Sequence, residues 1–169
     1  MLHRPLLLLA AFALFTTGCD SGGSDSALER IQGRYSLDAL SFDPSTPALP
    51  EADVGARLDA NDTELQVFGD GDAQIIVFPA GGGRSSLISL RVEANSRRAT
   101  FEAVTENDRD DLDQLLLPSE FSLDYEGERP TVLEGQLNLT GIDLESFDPD
   151  TYRDQRSNRG TLLVRFRRP

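Results

Sequence analysis

Ile88-Ser89-Leu90-Arg91-Val92-Glu93-Ala94-Asn95-Ser96-Arg97-Arg98-Ala99-Thr100-Phe101-Glu102-Ala103-Val104 is the stretch that decides the fold. Ile88, Leu90, Val92 and Ala94 fall on one side of an extended chain, and Ser89, Arg91 and Glu93 fall on the other. That period of two belongs to a strand with one face in a core and the other in water. Asn95-Ser96-Arg97 turns the chain into Ala99–Val104, where Phe101 sits between Thr100 and Glu102. Two half-buried strands joined by a tight turn make an antiparallel hairpin.

The same pattern extends in both directions. Upstream, Ile31, Gly33, Tyr35, Leu37 and Ala39 alternate with Gln32, Arg34, Ser36 and Asp38, and Val54, Ala56 and Leu58 alternate with Gly55, Arg57 and Asp59. Leu65 and Val67 follow, and Gly69-Asp70-Gly71-Asp72 is a strong turn signal into Ala73–Phe78. Downstream come Phe121, Leu123 and Tyr125, then Leu133 to Gly141, and last Leu162, Val164 and Phe166 set against Leu163, Arg165 and Arg167. Thr105 to Asp113 breaks the pattern. Asp111 to Leu117 is expected as one short helix ended by Pro118, and a polar loop is expected over 145–160.

These readings add up to an all-β domain of eight or nine short antiparallel strands. Alternation throughout fits a sheet with one wet face. Closure into an up-and-down barrel removes exposed edges, while a two-sheet β-sandwich satisfies the same pattern and stays as the alternative. A barrel through a membrane fits less well, because spanning strands need about 9–11 residues and an apolar outer face.

The N-terminus has a different character. Arg4 precedes an unbroken apolar run, Leu6 to Phe15, which is too short for a span of about 20 residues. Thr16-Thr17-Gly18 leads to Cys19, the only cysteine, and then to Asp20-Ser21-Gly22-Gly23-Ser24-Asp25-Ser26. This arrangement resembles the signal peptide of a bacterial lipoprotein. The resemblance implies cleavage before Cys19 and lipidation of Cys19, with an ordinary secretory signal as the alternative. It divides the chain into a signal peptide over 1–18, a flexible tether over 19–27 and a β domain over 28–169. It implies residence in the cell envelope on a lipid anchor, with the outer membrane preferred to the inner. Gly33 and Tyr35 in the first strand and the arginines of the last strand resemble the small lipocalin-like domains of bacterial lipoproteins. That second resemblance implies a lipocalin-like barrel with an apolar ligand cavity.

Charge and composition narrow the function. The chain carries −13 overall, and removing 1–18, whose only formal charge is Arg4, leaves −14. Such a chain is expected to be repelled by nucleic acid and by anionic lipid surfaces, so no nucleic-acid partner is expected. All sixteen basic residues are arginine. An acidic, lysine-free composition resembles that of proteins from high-salt organisms, and molar salt screens its self-repulsion. The one histidine is His3, inside the signal, and there is no tryptophan. Without histidine, lysine or a free thiol, the mature chain has no Ser-His-Asp triad, Cys-His pair, Schiff-base lysine or P-loop lysine. No catalytic residue and no cofactor are assigned. The expected role is non-catalytic binding of a small apolar ligand or an envelope protein. The alternatives are a structural or assembly accessory and a carboxylate-based hydrolase.

Three further features are candidates for sites. Asp108, Asp110, Asp111 and Asp113 form the densest oxygen cluster and are candidate calcium ligands, but their spacing does not match an EF-hand loop, and a solvated acidic loop ahead of a helix is the preferred reading. Arg165, Arg167 and Arg168 are expected to pair with acids across the sheet, with binding of an acidic ligand or lipid headgroup as the alternative. Finally, Leu37–Thr46 lines up with Ile142–Thr151, sharing Ser-Phe-Asp-Pro. Either both segments are strand-ending turns, or both line one rim of the barrel.

Overall fold

Short polar turns force consecutive strands to lie side by side and antiparallel. At the hairpin quoted above, the Asn95 side-chain oxygen accepts hydrogen bonds from the backbone N–H groups of Arg97 and Arg98, both at 3.0 Å. The computed structural model describes residues 23–169. Its strands are β1 (Gly33–Pro44), β2 (Ala52–Asp53), β3 (Glu64–Val67), β4 (Asp72–Val77), β5 (Ser86–Ala94), β6 (Arg98–Ala103), β7 (Glu120–Asp124), β8 (Val132–Ile142) and β9 (Asn158–Arg167). They form one sheet in the order β2-β1-β3-β4-β5-β6-β7-β8-β9, and β9 pairs back onto β1. The result is a closed eight-stranded antiparallel barrel with β2 added on β1, as the alternation of the sequence led us to expect.

Alternate side chains point inward, and the largest of them fill the core. Tyr35, Phe42, Phe101, Phe166, Leu65, Ile75, Ile88 and Leu90 are all fully buried. Phe101 and Phe121 are register partners on β6 and β7, and their rings stack 5.3 Å apart. β1 contains a register shift between Leu37 and Ala39. Tyr35 and Leu37 face inward before it, and Leu40 and Phe42 after it. Ala39, expected on the inner face, is therefore displaced from it. One extra residue in a strand moves every later side chain to the opposite face.

Four boundaries differ from the sequence reading. The described residues open on a helix, α1 (Gly23–Ile31), over a stretch for which the composition of 19–27 led us to expect flexible chain. Ala27, Leu28 and Ile31 form an apolar stripe at helical spacing, and all three are buried. Ile31 ends this helix rather than opening β1. The segment 54–58 is not a strand: Gly55–Arg57 is a single 3₁₀ turn, and the Asp53 carboxylate accepts the N–H of Ala56 at 3.0 Å. The second helix, α2 (Glu106–Gln114), starts five residues earlier than expected. Thr105 and Asp108 form a capping box at its start, which outweighs the apolar Leu115-Leu116-Leu117 as a signal. A short helix, α3 (Leu144–Phe147), occupies the start of the expected polar loop.

The strand register gives the barrel two ends. At one end lie the start of β1, the β3–β4, β5–β6 and β7–β8 turns and the end of β9, with α1 packed across them. At the other lie β2, α2, α3 and the loops around them.

Candidate functional site

The α1 end is built around Tyr35. Its hydroxyl donates to the Ile31 carbonyl at 2.9 Å, tying the first strand to the last residue of α1. Arg168, just past β9, lies over the Tyr35 ring at 4.9 Å. One of its terminal nitrogens donates to the Tyr35 hydroxyl at 2.7 Å and to the Gln32 carbonyl at 2.9 Å. The Arg168 Nε is buried and has no hydrogen-bond partner among the described residues. Burial pushes the Tyr35 phenol up from its ordinary value, while the Arg168 cation pulls against that shift. Gly33 has φ +142°, and a Cβ there would come within 3.3 Å of Arg168. Glycine at 33, tyrosine at 35 and arginine at 168 thus serve one contact, which latches the helix, the first strand and the chain end together.

Two depressions open beside this latch. One, of about 450 Å³, is lined by Asn95, Arg97, Arg98, Asp124, Tyr125 and Glu126. The other, of about 320 Å³, lies where β7 and β8 meet and includes Thr131, Val132 and Glu134. β7 joins β8 through a single register pair, Asp124 with Glu134. Arg98 grips Asp124 through two hydrogen bonds, at 2.7 and 3.2 Å. That contact holds the Asp124 carboxyl below the usual carboxylate range. Tyr125 donates its hydroxyl to the Asn95 carbonyl.

No protein-family model, curated protein or solved structure matches this chain. The chemistry of the site therefore rests on its own geometry.

The opposite end gathers the second copy of the repeat. Asp143 caps α3 by accepting the Ser146 N–H at 3.0 Å. Arg57 lies over the Phe147 ring at 3.6 Å, and Tyr152 packs beside that ring at 6.5 Å. The Tyr152 hydroxyl donates to the Pro50 carbonyl at 3.1 Å. The first copy ends at this same rim, where Pro44 is the register partner of Gly160 on β9.

The other sequence candidates separate. Cys19 and His3 lie outside the described residues. The four aspartates sit on α2, with only Asp108 buried. The Asp108 carboxylate accepts the Ser89 N–H at 2.7 Å, the Thr105 N–H at 2.9 Å and the Thr105 hydroxyl at 2.6 Å. Burial raises its pKa, but those hydrogen bonds outweigh burial and leave it lowered. It is thus committed to capping and to docking α2 on β5. Among the described residues, no group of three or more histidine, cysteine or acidic side chains is arranged to hold a metal ion. Arg165 pairs with Glu134 at 2.9 Å and with Asp38 at 3.8 Å, and Arg167 pairs with Asp38 at 3.2 Å. These are the cross-sheet partners that the alternation allowed.

Arg168 is the exception, and sequence reasoning missed its role as a latch. Its neighbours in sequence point outward to acids, while it turns over the barrel end. The available signal was the spacing of Gly33 and Tyr35. Also missed was a small apolar strip on the outer wall. Leu87 is 54% exposed and is the register partner of the half-buried Ile76. Val104 is 47% exposed and donates its N–H to Ser89, two residues along from Leu87.

Proposed function

We propose that this is a lipid-anchored lipoprotein of the cell envelope with a non-catalytic role: its barrel binds an envelope protein through the outer wall. The observation that carries the choice of ligand is the filled interior. Aromatic rings from Tyr35, Phe42, Phe101, Phe121 and Phe166 occupy the space in which an apolar small molecule would sit. A surface strip of Ile76, Leu87 and Val104 in a strongly acidic chain offers a partner a dry contact instead. The anchor reading is supported by the apolar run ending at Cys19, and the lipocalin-like reading by the contact of Arg168 with Tyr35.

Two measurements test this. Metabolic labelling with a fatty-acid analogue should mark the wild-type protein and not Cys19→Ala, which should leave the membrane fraction. Unchanged membrane retention of Cys19→Ala sinks the anchor. Cross-linking in intact cells should join the wild-type protein to a partner, and Leu87→Asp with Val104→Asp should lose that product while keeping the fold. An undiminished product would place the partner elsewhere, and a co-purifying apolar small molecule would restore the cavity reading.

A further inference from the structure

The two ends of the barrel differ sharply in charge. With the short β3 assigned whole to the α1 half, β2 whole to the far half and every other strand divided near its middle, the α1 half consists of residues 23–38, 63–74, 90–100, 123–136 and 163–169. These segments hold eleven acids and nine arginines, a net charge of −2. The far half, 39–62, 75–89, 101–122 and 137–162, holds seventeen acids and six arginines, a net charge of −11. The acids therefore look evenly spread along the sequence, and the up-and-down topology sorts them in space. Every second turn lies at the same end, so a modest bias between alternate turns adds up across the barrel.

The α1 end is also the end nearest Cys19. Four peptide units separate Cys19 from Gly23, a reach of at most about 14 Å even when fully extended. From Ala27 the helix is packed against the barrel by Ala27, Leu28 and Ile31, and Arg30 pairs with Glu128 at 3.2 Å. The tether therefore starts from the α1 end of the barrel and keeps that end nearer the anchor than the far end.

We infer that the α1 end is a membrane-facing surface, seated on the anionic bilayer to which Cys19 is attached, with the acidic end directed away. This rests on the lipid anchor proposed above. The rim carries suitable groups: Arg97 and Arg129 have no ion pair among the described residues, and Phe68, 39% exposed, stands at the β3–β4 turn. The acids of this rim are partly neutralised, Asp124 by Arg98 and Glu128 by Arg30. Surface potential decays within a Debye length of about 8–10 Å. Twelve residues of β1, tilted as barrel strands are, stand roughly 30 Å tall. With the α1 end down, the far end lies outside the membrane field. In the inverted pose the net −11 would lie within it.

The chain has no tryptophan, so single tryptophans can report position. Ser96→Trp marks the β5–β6 turn at the α1 end, and Asp110→Trp marks α2 at the far end; both sites are exposed. Each variant is expressed as the full chain, purified from membranes, checked by circular dichroism and placed in phosphatidylcholine–phosphatidylglycerol vesicles with headgroup spin labels. Quenching should be several-fold stronger at Ser96→Trp than at Asp110→Trp. Equal quenching, or the reverse order, overturns the orientation. Mass spectrometry of the N-terminal peptide from the same preparation separates the two failures. Acylated protein with equal quenching overturns the orientation alone, whereas unmodified Cys19 overturns the anchor and the orientation with it.

Discussion

Ser41-Phe42-Asp43-Pro44 and Ser146-Phe147-Asp148-Pro149 are the same four residues in two different structures. The first is the end of a strand. Phe42 is buried in the core, and Ser41 to Pro44 pair in register with Leu163 to Gly160 of β9. The second ends a helix. Phe147 is half-buried beneath Arg57, and the Asp148 carboxylate accepts the N–H groups of Asp150 and Thr151, at 3.1 and 3.2 Å. The aligned acids diverge in the same way. Asp38 meets Arg165 and Arg167 across the sheet, whereas Asp143 caps α3. Local sequence is common to both copies, so the partner strand makes the difference. β1 has β9 alongside it as far as Pro44. β8 shifts register between Thr140 and Ile142, at Gly141 with φ +79°, pairs once more through Ile142 with Asn158, and then leaves the sheet for α3.

This contrast can be broken from the strand side first. Phe42→Ala should cost about 3–5 kcal/mol, because a fully buried ring leaves a cavity. Urea unfolding would measure it, and a loss near that of an exposed site would remove Phe42 from the core. Next is the fit of β9 against it. A Cβ at Gly160 would collide with the Asp43 carbonyl and the Phe42 ring edge. Gly160→Val should therefore cost about 3 kcal/mol through overpacking. Gly81→Val, with nothing within 4 Å of its Cβ position and no left-handed backbone, is the uncrowded control and should cost far less.

The helical copy should respond far less. Phe147→Ala removes a half-buried ring and its contact with Arg57, so a loss of about 1 kcal/mol is expected. If the two phenylalanine variants lost equal stability, the distinction between the copies would collapse. The smallest effect is acid loosening of the α3 turn. The Ser146 N–H, then its hydroxyl, hold the Asp143 carboxyl below the usual range, and the Thr151 hydroxyl, then its N–H, hold Asp148 low. A depressed carboxylate stabilises the fold above its unfolded pKa of about 3.9, and that contribution disappears as pH falls through the lower folded value. Amide exchange at Ser146 and Thr151 should accelerate below that pH in the wild type, and Asp143→Asn should flatten the response at Ser146. Identical profiles for the two proteins would show that Asp143 does not titrate as a cap.

Much of the barrel was legible because inward burial repeats every second residue. Leu65, Ile88, Leu90, Phe101, Leu123, Leu133, Val164 and Phe166 all sit where their spacing put them. Legibility failed where a side-chain hydrogen bond or a bulge overrode the period. The Thr105–Asp108 capping box moved α2 toward the N-terminus, and the shift after Leu37 turned Ala39 out and Leu40 in. The site was harder to read than the fold. Gly33 and Tyr35 could be singled out from the sequence, but their partner Arg168 is 133 residues from Tyr35 and closes on it only when β9 returns to β1.

By itself, the sequence determined the strand character, the antiparallel turns, the poor catalytic inventory and the net acidity, because each depends on residue type and near neighbours. Only the tertiary structure decided which Ser-Phe-Asp-Pro enters the core, which arginine latches α1, and how the acids divide between the two ends. Those depend on contacts between residues far apart in the chain, and a period of two carries no information about which distant strand will lie opposite.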